Sequence, residues 1–516
     1  MKNYVKVFLA IIMVLAMLLS VGCASKDMSG GAPMGGGGYI GAPDAAPEYG
    51  GDSGGAEDDK VSENGGTQIQ PGMITAGAQD DNKYYDMWKA LFARGQTSDE
   101  DGKMVRYLDG FGMNSLNRVK VTVTANQAPV SNADVELYNN EGQLVFTGVA
   151  DANGVAYVFG SGQSGTVKVK SGSYSAQSQL EAGQEEIEIS LDGALEKQSL
   201  IEIMIVLDVT GSMGDEITFL KAELADVINR VAAAHTEASI SLAMLFYRDK
   251  GDSVKLSYAD FLDVTNSDNL AKHQATLDKQ IADGGGDYPE AVDEAFELAM
   301  QKQWSKNSTK ILFHVCDAPP HTGEAYETRY KNAIDKAAAL GIRVCPIIAS
   351  GADSLTEYLA RQSAVLTGGT FVFITDDSGI GGSHYDPAIP NVVVENLNDL
   401  MVRLVTGYYT GSFPPPVSWA GKTYYGITYD DGGPLGIGFL VAGHNSTYQE
   451  GQTVTLVTRT LTDVGAKLYV NGEFACSEVG IYDEETQQYY WTFTFKMPKG
   501  GADIYFETYD GFIEIE

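Results

Sequence analysis

The sequence predicts a multidomain chain, with a central doubly wound α/β domain flanked by two all-β, sandwich-like domains. Three observations predict it. The 516 residues, 44% of them hydrophobic, leave room for two to four domains at roughly 100–200 residues each. From 198 to 410, apolar strand runs alternate with amphipathic helical patterns. On either side, over 117–197 and 420–516, short period-two runs are separated by turn clusters.

Lys2 and Lys6 open the chain, and Val7 to Leu19 is an unbroken apolar run too short to span a bilayer. Ser20-Val21-Gly22-Cys23 follows, so residues 1–22 are expected to be an export signal. The placement of Cys23 resembles a bacterial lipobox, whose cysteine is lipidated and becomes the new N-terminus. Ser20 stands where that motif usually has Leu, with Leu19 one step earlier. The resemblance implies a protein lipid-anchored to a membrane at the cell envelope or surface. Residues 23–82 are rich in Gly, Ser, Ala, Pro and Asp. Such composition cannot bury enough apolar surface to offset chain entropy, so a disordered tether is expected. Its r.m.s. reach is about 40–45 Å.

Residues 83–116 hold a short helical segment, with Tyr84 to Phe92 as an amphipathic helix and Trp88 as a packing residue. In 117–197, Val119, Val121 and Val123 alternate with polar residues, as do Ala133 to Leu137. Asn139 to Gly142 and Asp151 to Gly154 are turn clusters between strands. This pattern predicts a β-sandwich. The stretch Gly148 to Ala156 resembles the carboxypeptidase-regulatory-like and Cna-B-like modules of surface proteins, which are usually spacers.

Over 198–410 the order is strand Leu200–Leu207, helix through Ile217, Leu220, Leu224, Val227 and Val231, and strand Ile240–Phe246. There follow helix Pro289–Met300, strand Lys310–Val315, helix Tyr326–Leu340, strands Ile342–Ala349 and Gly369–Ile374, and helix Val394–Val405. Pro414-Pro415-Pro416 stiffens a linker over 411–419. Thr453 to Val457, Lys467 to Val470 and Trp491 to Phe495 are strands of a second sandwich over 420–516. Its Phe495-Lys496-Met497-Pro498 stretch resembles small repeat modules of bacterial surface proteins.

Lys plus Arg number 35 against 69 Asp plus Glu, a formal charge of −34. Such a polyanion is repelled by phosphate backbones, which argues against nucleic acid as a partner. Four cysteines are too few for a disulfide scaffold. Cys316 and Cys345, near the ends of neighbouring strands, are two buried thiols or a disulfide pair. His314 alternates within a strand and is expected in the core.

In an open α/β sheet, ligands bind beyond the carboxyl ends of the strands. Three loops there carry carboxylates and hydroxyls: Asp208-Val209-Thr210-Gly211-Ser212, Gly284-Gly285-Gly286-Asp287-Tyr288-Pro289-Glu290, and Asp317-Ala318-Pro319-Pro320-His321. These are hard oxygen ligands, suited to Mg²⁺, Mn²⁺ or Ca²⁺.

The three loops resemble the metal-ion-dependent adhesion site of the von Willebrand factor A family, a Rossmann-like fold. Asp208, Thr210 and Ser212 match its Asp-x-Ser-x-Ser loop, with Thr for the first Ser. Asp317 matches the third loop, and Asp287 is the choice for the second, with Tyr288 where a subgroup has Thr. The resemblance implies a divalent cation, Mg²⁺ first and Mn²⁺ or Ca²⁺ as alternatives. It also implies binding of a protein ligand that offers an acidic residue to the metal, with no catalytic residues. His321 on the third loop could orient Asp317. One alternative is an envelope scaffold or assembly factor with a structural or vestigial metal site. A remote one is a haloacid-dehalogenase-like phosphatase with Asp208 as nucleophile and Asp376-Asp377 as its later acidic pair; Thr210 stands where that family's second Asp is needed.

Overall fold

In the computed structural model, the described residues run 72–94, 102–108, 110–375 and 392–419, with isolated positions between, and cover most of 424–510. Residues 1–22, expected to be an export signal, Cys23, the Gly-rich stretch to residue 71 and Asp376 lie outside them. None of the helices among the described residues is long and apolar enough to cross a membrane.

The first strand, β1 (Thr75–Gln79), lies where the tether was expected to continue, so the tether reading is corrected from residue 72 onward. Small residues make the insertion possible: an ideal Cβ on Gly77 would lie 2.4 Å from Val392 Cγ1 and 2.6 Å from Phe373 Cζ. Helix α1 (Tyr85–Ala90) follows. Its Trp88 is buried, and the indole N–H donates to Ser115 Oγ at 2.9 Å.

Eight strands come next: β2 (Arg118–Ala125), β3 (Ala128–Pro129), β4 (Asp134–Asn139), β5 (Leu144–Val149), β6 (Val155–Phe159), β7 (Gly165–Ser171), β8 (Tyr174–Leu180) and β9 (Glu186–Leu191). Strands β3-β2-β6, with β9 paired to β2, form one sheet, and β5-β4-β7-β8 form another. Valines at alternate positions of β2, β4 and β7 join one apolar core between them. Arg343 Nη2 donates to Val149 O at 2.8 Å and ties this region to the α/β sheet.

The α/β region runs β10 (Leu200–Asp208), α2 (Gly214–Ala234), β11 (Ser239–Tyr247), β12 (Leu256–Asp263), α3 (Ser267–Asp278) and α4 (Val292–Met300). It continues with β13 (Thr309–Cys316), α5 (Glu324–Leu340), β14 (Ile342–Ile348), α6 (Ser354–Thr367), β15 (Phe371–Ile374), β16 (Glu395–Asn396) and α7 (Leu397–Thr410). The sheet order is β12-β11-β10-β13-β14-β15-β1-β16. Strands β11, β10, β13, β14 and β15 are parallel, while β12 is antiparallel to β11 and β1 to both its neighbours. Alternate residues of β10 face opposite layers. Ile201, Ile203, Ile205 and Leu207 meet α2 and α7, while Met204 and Val206 meet α4, α5 and α6. The chain goes one way from β10 to β11 and then crosses to β13 on the other side, so the β10/β13 crevice is the topological switch point.

Several boundaries differ from expectation. Helix α4 starts at Val292, leaving Pro289 and Glu290 in the loop, and Glu395–Asn396 is strand before α7 begins. Strand β12 and helices α3 and α6 were not read from the sequence at all. His314 is buried, as expected, and bonds Tyr247 Oη at 2.9 Å; burial lowers its pKa to about 3. Cys316 and Cys345 are both buried free thiols, so the disulfide alternative does not hold. Beyond α7, two further four-stranded sheets share a core around Leu456, Leu468, Trp491 and Phe493.

Candidate metal centre

Four loops meet at the switch point. The first follows β10, another follows β11, the second precedes α4 and the third follows β13. Their backbones are clasped together. The amide of Gly211 donates to Gly284 O at 3.3 Å and that of Asp283 to Val209 O at 3.1 Å. The Glu290 amide donates to Pro319 O at 3.0 Å, and the Ala291 amide to Arg248 O at 3.3 Å. Gly284 and Gly285 turn with φ of +80° and +82°, which only glycine adopts freely. The Arg248 guanidinium spans the gap, donating to Val209 O at 3.2 Å and Ile281 O at 3.1 Å.

Asp208 lies fully buried at the end of β10. Its Oδ1 accepts from the Thr210 amide at 2.9 Å and the Thr210 hydroxyl at 2.7 Å, which explains the two-residue spacing. Thr210 Oγ1 lies 3.2 Å from Ser212 Oγ, and Ser212 is exposed. Asp208 Oδ2 is buried with no hydrogen-bond partner. Burial, and then the charge of Asp317, push the Asp208 carboxyl up to about 7. Asp317 is buried opposite, at the end of β13. The structure therefore brings Asp208, Thr210, Ser212 and Asp317 to one edge.

Asp287 stands apart. Its side chain is 64% exposed, and its Oδ2 lies 4.0 Å from His321 Nδ1. His321 does not serve Asp317, as the sequence suggested; its Nε2 lies 2.6 Å from Asp249 Oδ1, and Lys250 Nζ lies 3.0 Å from Nδ1. Asp249, Asp287 and His321 present ligand-type atoms within 4.8 Å of one another. Tyr288 reaches across from the second loop, its hydroxyl donating to Asp317 O at 3.2 Å and Gly351 O at 3.3 Å.

Sequence reasoning passed over three acidic residues here. Glu290 is buried, its Oε2 has no hydrogen-bond partner, and burial followed by the charges of Asp208 and Asp249 raises its pKa to about 9. Asp252 Oδ2 accepts from the amides of Asp249 at 3.0 Å and Gly285 at 3.1 Å, stapling the β11 loop to the glycine run. Asp249 belongs to the same loop. The period-two run of β11 ending at Tyr247 was the available signal for that loop; nothing marked its acids as inward-facing.

The donor set fits a hard divalent ion. The Asp208 carboxylate meets the Thr210 and Ser212 hydroxyls, two buried carboxylate oxygens lack hydrogen bonds, and burial, followed by the charges of neighbouring carboxylates, raises the carboxyl pKa values.

Residues 202–363 match the family model described as the von Willebrand factor A domain. The chain is 26% identical over 149 residues to the alpha-protein kinase vwkA of Dictyostelium discoideum, covering 29% of this chain and 23% of that protein. It is 32% identical over 127 residues to a putative ariadne-like RING finger protein of Acanthamoeba polyphaga mimivirus, covering 25% of this chain and 12% of the other. The chain thus spans less than a quarter of these relatives' length. Among solved structures, the conserved hypothetical protein BatB from Bacteroides thetaiotaomicron is 16% identical with a TM-score of 0.25, covering 34% of this chain and 89% of that one. The pilus adhesin SpaC from Lactobacillus rhamnosus GG, in its open conformation, is 9% identical with a TM-score of 0.31, covering 74% and 56%.

Proposed function

The chain carries a von Willebrand factor A domain, and from that premise we propose a cell-envelope lipoprotein that binds a protein partner through a divalent cation at the carboxyl edge of that domain. The observation that carries this reading is the buried Asp208 Oδ2, unpaired beside the Thr210 and Ser212 hydroxyls. A buried carboxylate oxygen without a donor is unfavourable unless a cation completes it. Asp208, Thr210, Ser212 and Asp317 would hold the ion, with Asp287 as the second-loop residue chosen from sequence. Mg²⁺ is the first choice, with Mn²⁺ and Ca²⁺ compatible with the same oxygens. When bound, the ion supplies positive charge for an oxygen group of the partner, a carboxylate by the family resemblance. Thr210 holds Asp208 in place, and Arg248 and Tyr288 hold the loops around it. This is a binding role and not a catalytic one.

In this reading Cys23 is the lipidated anchor, the Gly-rich segment after it is the tether, and domains over 117–197 and 420–516 act as sandwich spacers around 198–410. The full chain should capture its partner from envelope extracts in Mg²⁺ and release it in EDTA, and Asp208→Asn should abolish capture. Capture indifferent to both chelator and substitution would favour the scaffold reading instead.

A further inference from the structure

Beyond α7, one of the two sheets carries an aromatic row on its outer face. Strand Val464–Val470 lies between strands Glu473–Val479 and Ala502–Asp510. Ala466, Leu468, Ile504 and Phe506 point into the shared core, so the residues that alternate with them face out. Tyr469 stands opposite Phe474 on one side and Tyr505 on the other. Three rings thus cross the sheet in one row, about 10 Å long at the usual strand spacing. Phe474 is 57% exposed and Tyr505 41%. The Tyr469 and Tyr505 rings are parallel to within 1°, with centroids 4.7 Å apart. Rings in flat contact lie about 3.5–4.0 Å apart, so the pair is offset and each ring leaves part of a face uncovered. The Phe474 ring crosses Tyr469 at 71°, with centroids 5.9 Å apart. Polar groups border the row. Glu507 accepts from Tyr469 Oη at 2.7 Å and lies 3.5 Å from Lys467 Nζ, and Asp503 is exposed on the other side of Tyr505 along the strand.

Cross-strand ring pairs stabilise a sheet, but covered rings do that as well. Adjoining large apolar groups left open to solvent mark a contact site. The row is too narrow for a stable protein interface, which takes about 800 Å² from each partner around an apolar centre. Immediately beside the rings the face turns to Lys467, Asp503 and Glu507. We propose that this face binds an uncharged polysaccharide. A pyranose ring matches it twice over: its C–H face is apolar and stacks on an aromatic ring, while the hydroxyls on its rim bond to carboxylates and amines such as those bordering the row. Several rings in line suit a chain of sugars better than a single one. Charge selects within the class. Asp503 and Glu507 outnumber Lys467 here, and the whole chain carries −34, so phosphate-rich and uronate-rich polymers are repelled. No residue of the Asp208 edge takes part, so this contact is independent of the cation and gives the C-terminal region a role beyond that of a spacer.

Native affinity electrophoresis of the full chain in EDTA tests this. Separate gels hold hydroxyethyl cellulose, arabinoxylan, galactomannan or glycol chitin, with polygalacturonate as the charged counterpart. Wild type should be retarded by at least one of the uncharged polymers and not by polygalacturonate. Tyr505→Ala and Phe474→Ala should each weaken that binding at least about fivefold, as truncation of an aromatic anchor does. Tyr505→Phe keeps the ring and should bind as wild type does. So should Tyr174→Ala, which removes an exposed tyrosine of the first β region. Retardation by none of the uncharged polymers overturns the proposal, and so does undiminished binding by both alanine variants. Equal or stronger retardation by polygalacturonate overturns the stated class. Self-association of wild type that the alanine variants abolish, with no saccharide bound, would make the row a contact between copies instead. Should Tyr505→Ala fold poorly, Phe474→Ala, on the edge strand of the sheet, carries the comparison.

Discussion

Near pH 8, replacing Asp208 by Asn should leave the metal-free protein at least as stable as wild type while removing its response to cation. Burial and the charge of Asp317 raise this carboxyl from 3.8 to about 7. At about 1.4 kcal/mol per pH unit, that is roughly 4 kcal/mol. For a carboxyl whose folded pKa is raised, the contribution is intact below the unfolded value and is lost as pH rises through the folded one. Metal-free wild type should therefore lose stability between about pH 4 and about pH 8. Asn keeps an acceptor for the Thr210 amide and hydroxyl, but it places an NH₂ where Oδ2 lacks a partner. An unsatisfied buried donor costs about 1–3 kcal/mol, so the variant should gain roughly 1–3 kcal/mol over wild type near pH 8 in EDTA. Near pH 4 the electrostatic penalty is gone, and the variant should instead fall below wild type by that about 1–3 kcal/mol. Cation at about 100 times its dissociation constant should add about 2.7 kcal/mol to wild type and little to the variant. Melting curves of both proteins at about pH 5 and about pH 8, in EDTA and in millimolar Mg²⁺ or Mn²⁺, measure each quantity. An equal metal-induced rise in both proteins refutes Asp208 as a ligand. A variant clearly less stable than wild type at the higher pH in EDTA refutes the electrostatic argument.

Cys23→Ala should release the protein from the envelope or leave its signal uncleaved, as read by fractionation and mass spectrometry; an unacylated native protein found in the medium would count against the anchor. Arg361→Met should cost about 3–5 kcal/mol in denaturant unfolding, because it strands two buried carboxylates. Those are Asp81, 2.7 Å from the guanidinium, and Glu357, 2.8 Å from it. Glu223→Ala should strip the acceptor from the amides of Gly72, Met73 and Ile74, now at 2.8–3.3 Å, costing about 1–3 kcal/mol. Amide exchange of 74–79 should then quicken; unchanged protection there would show that the β-pairing alone holds the segment.

Much of the α/β layer is visible in the sequence because its strands are apolar throughout and helices such as α2 and α5 carry a one-sided stripe. Helix α6 left no such trace. Twelve of its residues, Thr356 to Thr367, are buried, including Glu357, Arg361 and Gln362, so polar letters that suggest a surface lie inside. Its partner Asp81 is some 280 positions away in the chain, a pairing no local pattern announces. Strand β1 was hidden by Gly and Ala, which read as tether and are needed here for close approach. Strand β12 is an antiparallel edge with few buried positions, so its alternation is weak. At the site, Asp208 and Asp317 could be read because they end strands that could be read. Glu290 could not, since Pro289 suggested a helix start, and only the delay of α4 to Val292 turns Glu290 inward. Asp249 and Asp252 follow the end of β11 but resemble any acidic surface turn.

The insertion of β1 also decides where tension would run. β1 is antiparallel to β15, with Ala76 opposite Ile374, so its amino end lies at the carboxyl edge of the parallel strands, the edge that carries Asp208 and Asp317. There Glu223 grips the amides of residues 72–74, and Glu223 stands on α2, the helix that continues directly from the Asp208 loop. The Ile74 carbonyl in turn accepts from the Leu397 amide at the start of α7. If the proposed anchor at Cys23 and the proposed capture of a partner by the cation both hold, a pull between cell and partner would enter and leave through this one rim. It would cross about two and a half turns of α2, roughly 14 Å, and bypass both flanking β regions. Those regions could then vary in length or composition without altering how firmly the cation holds that partner.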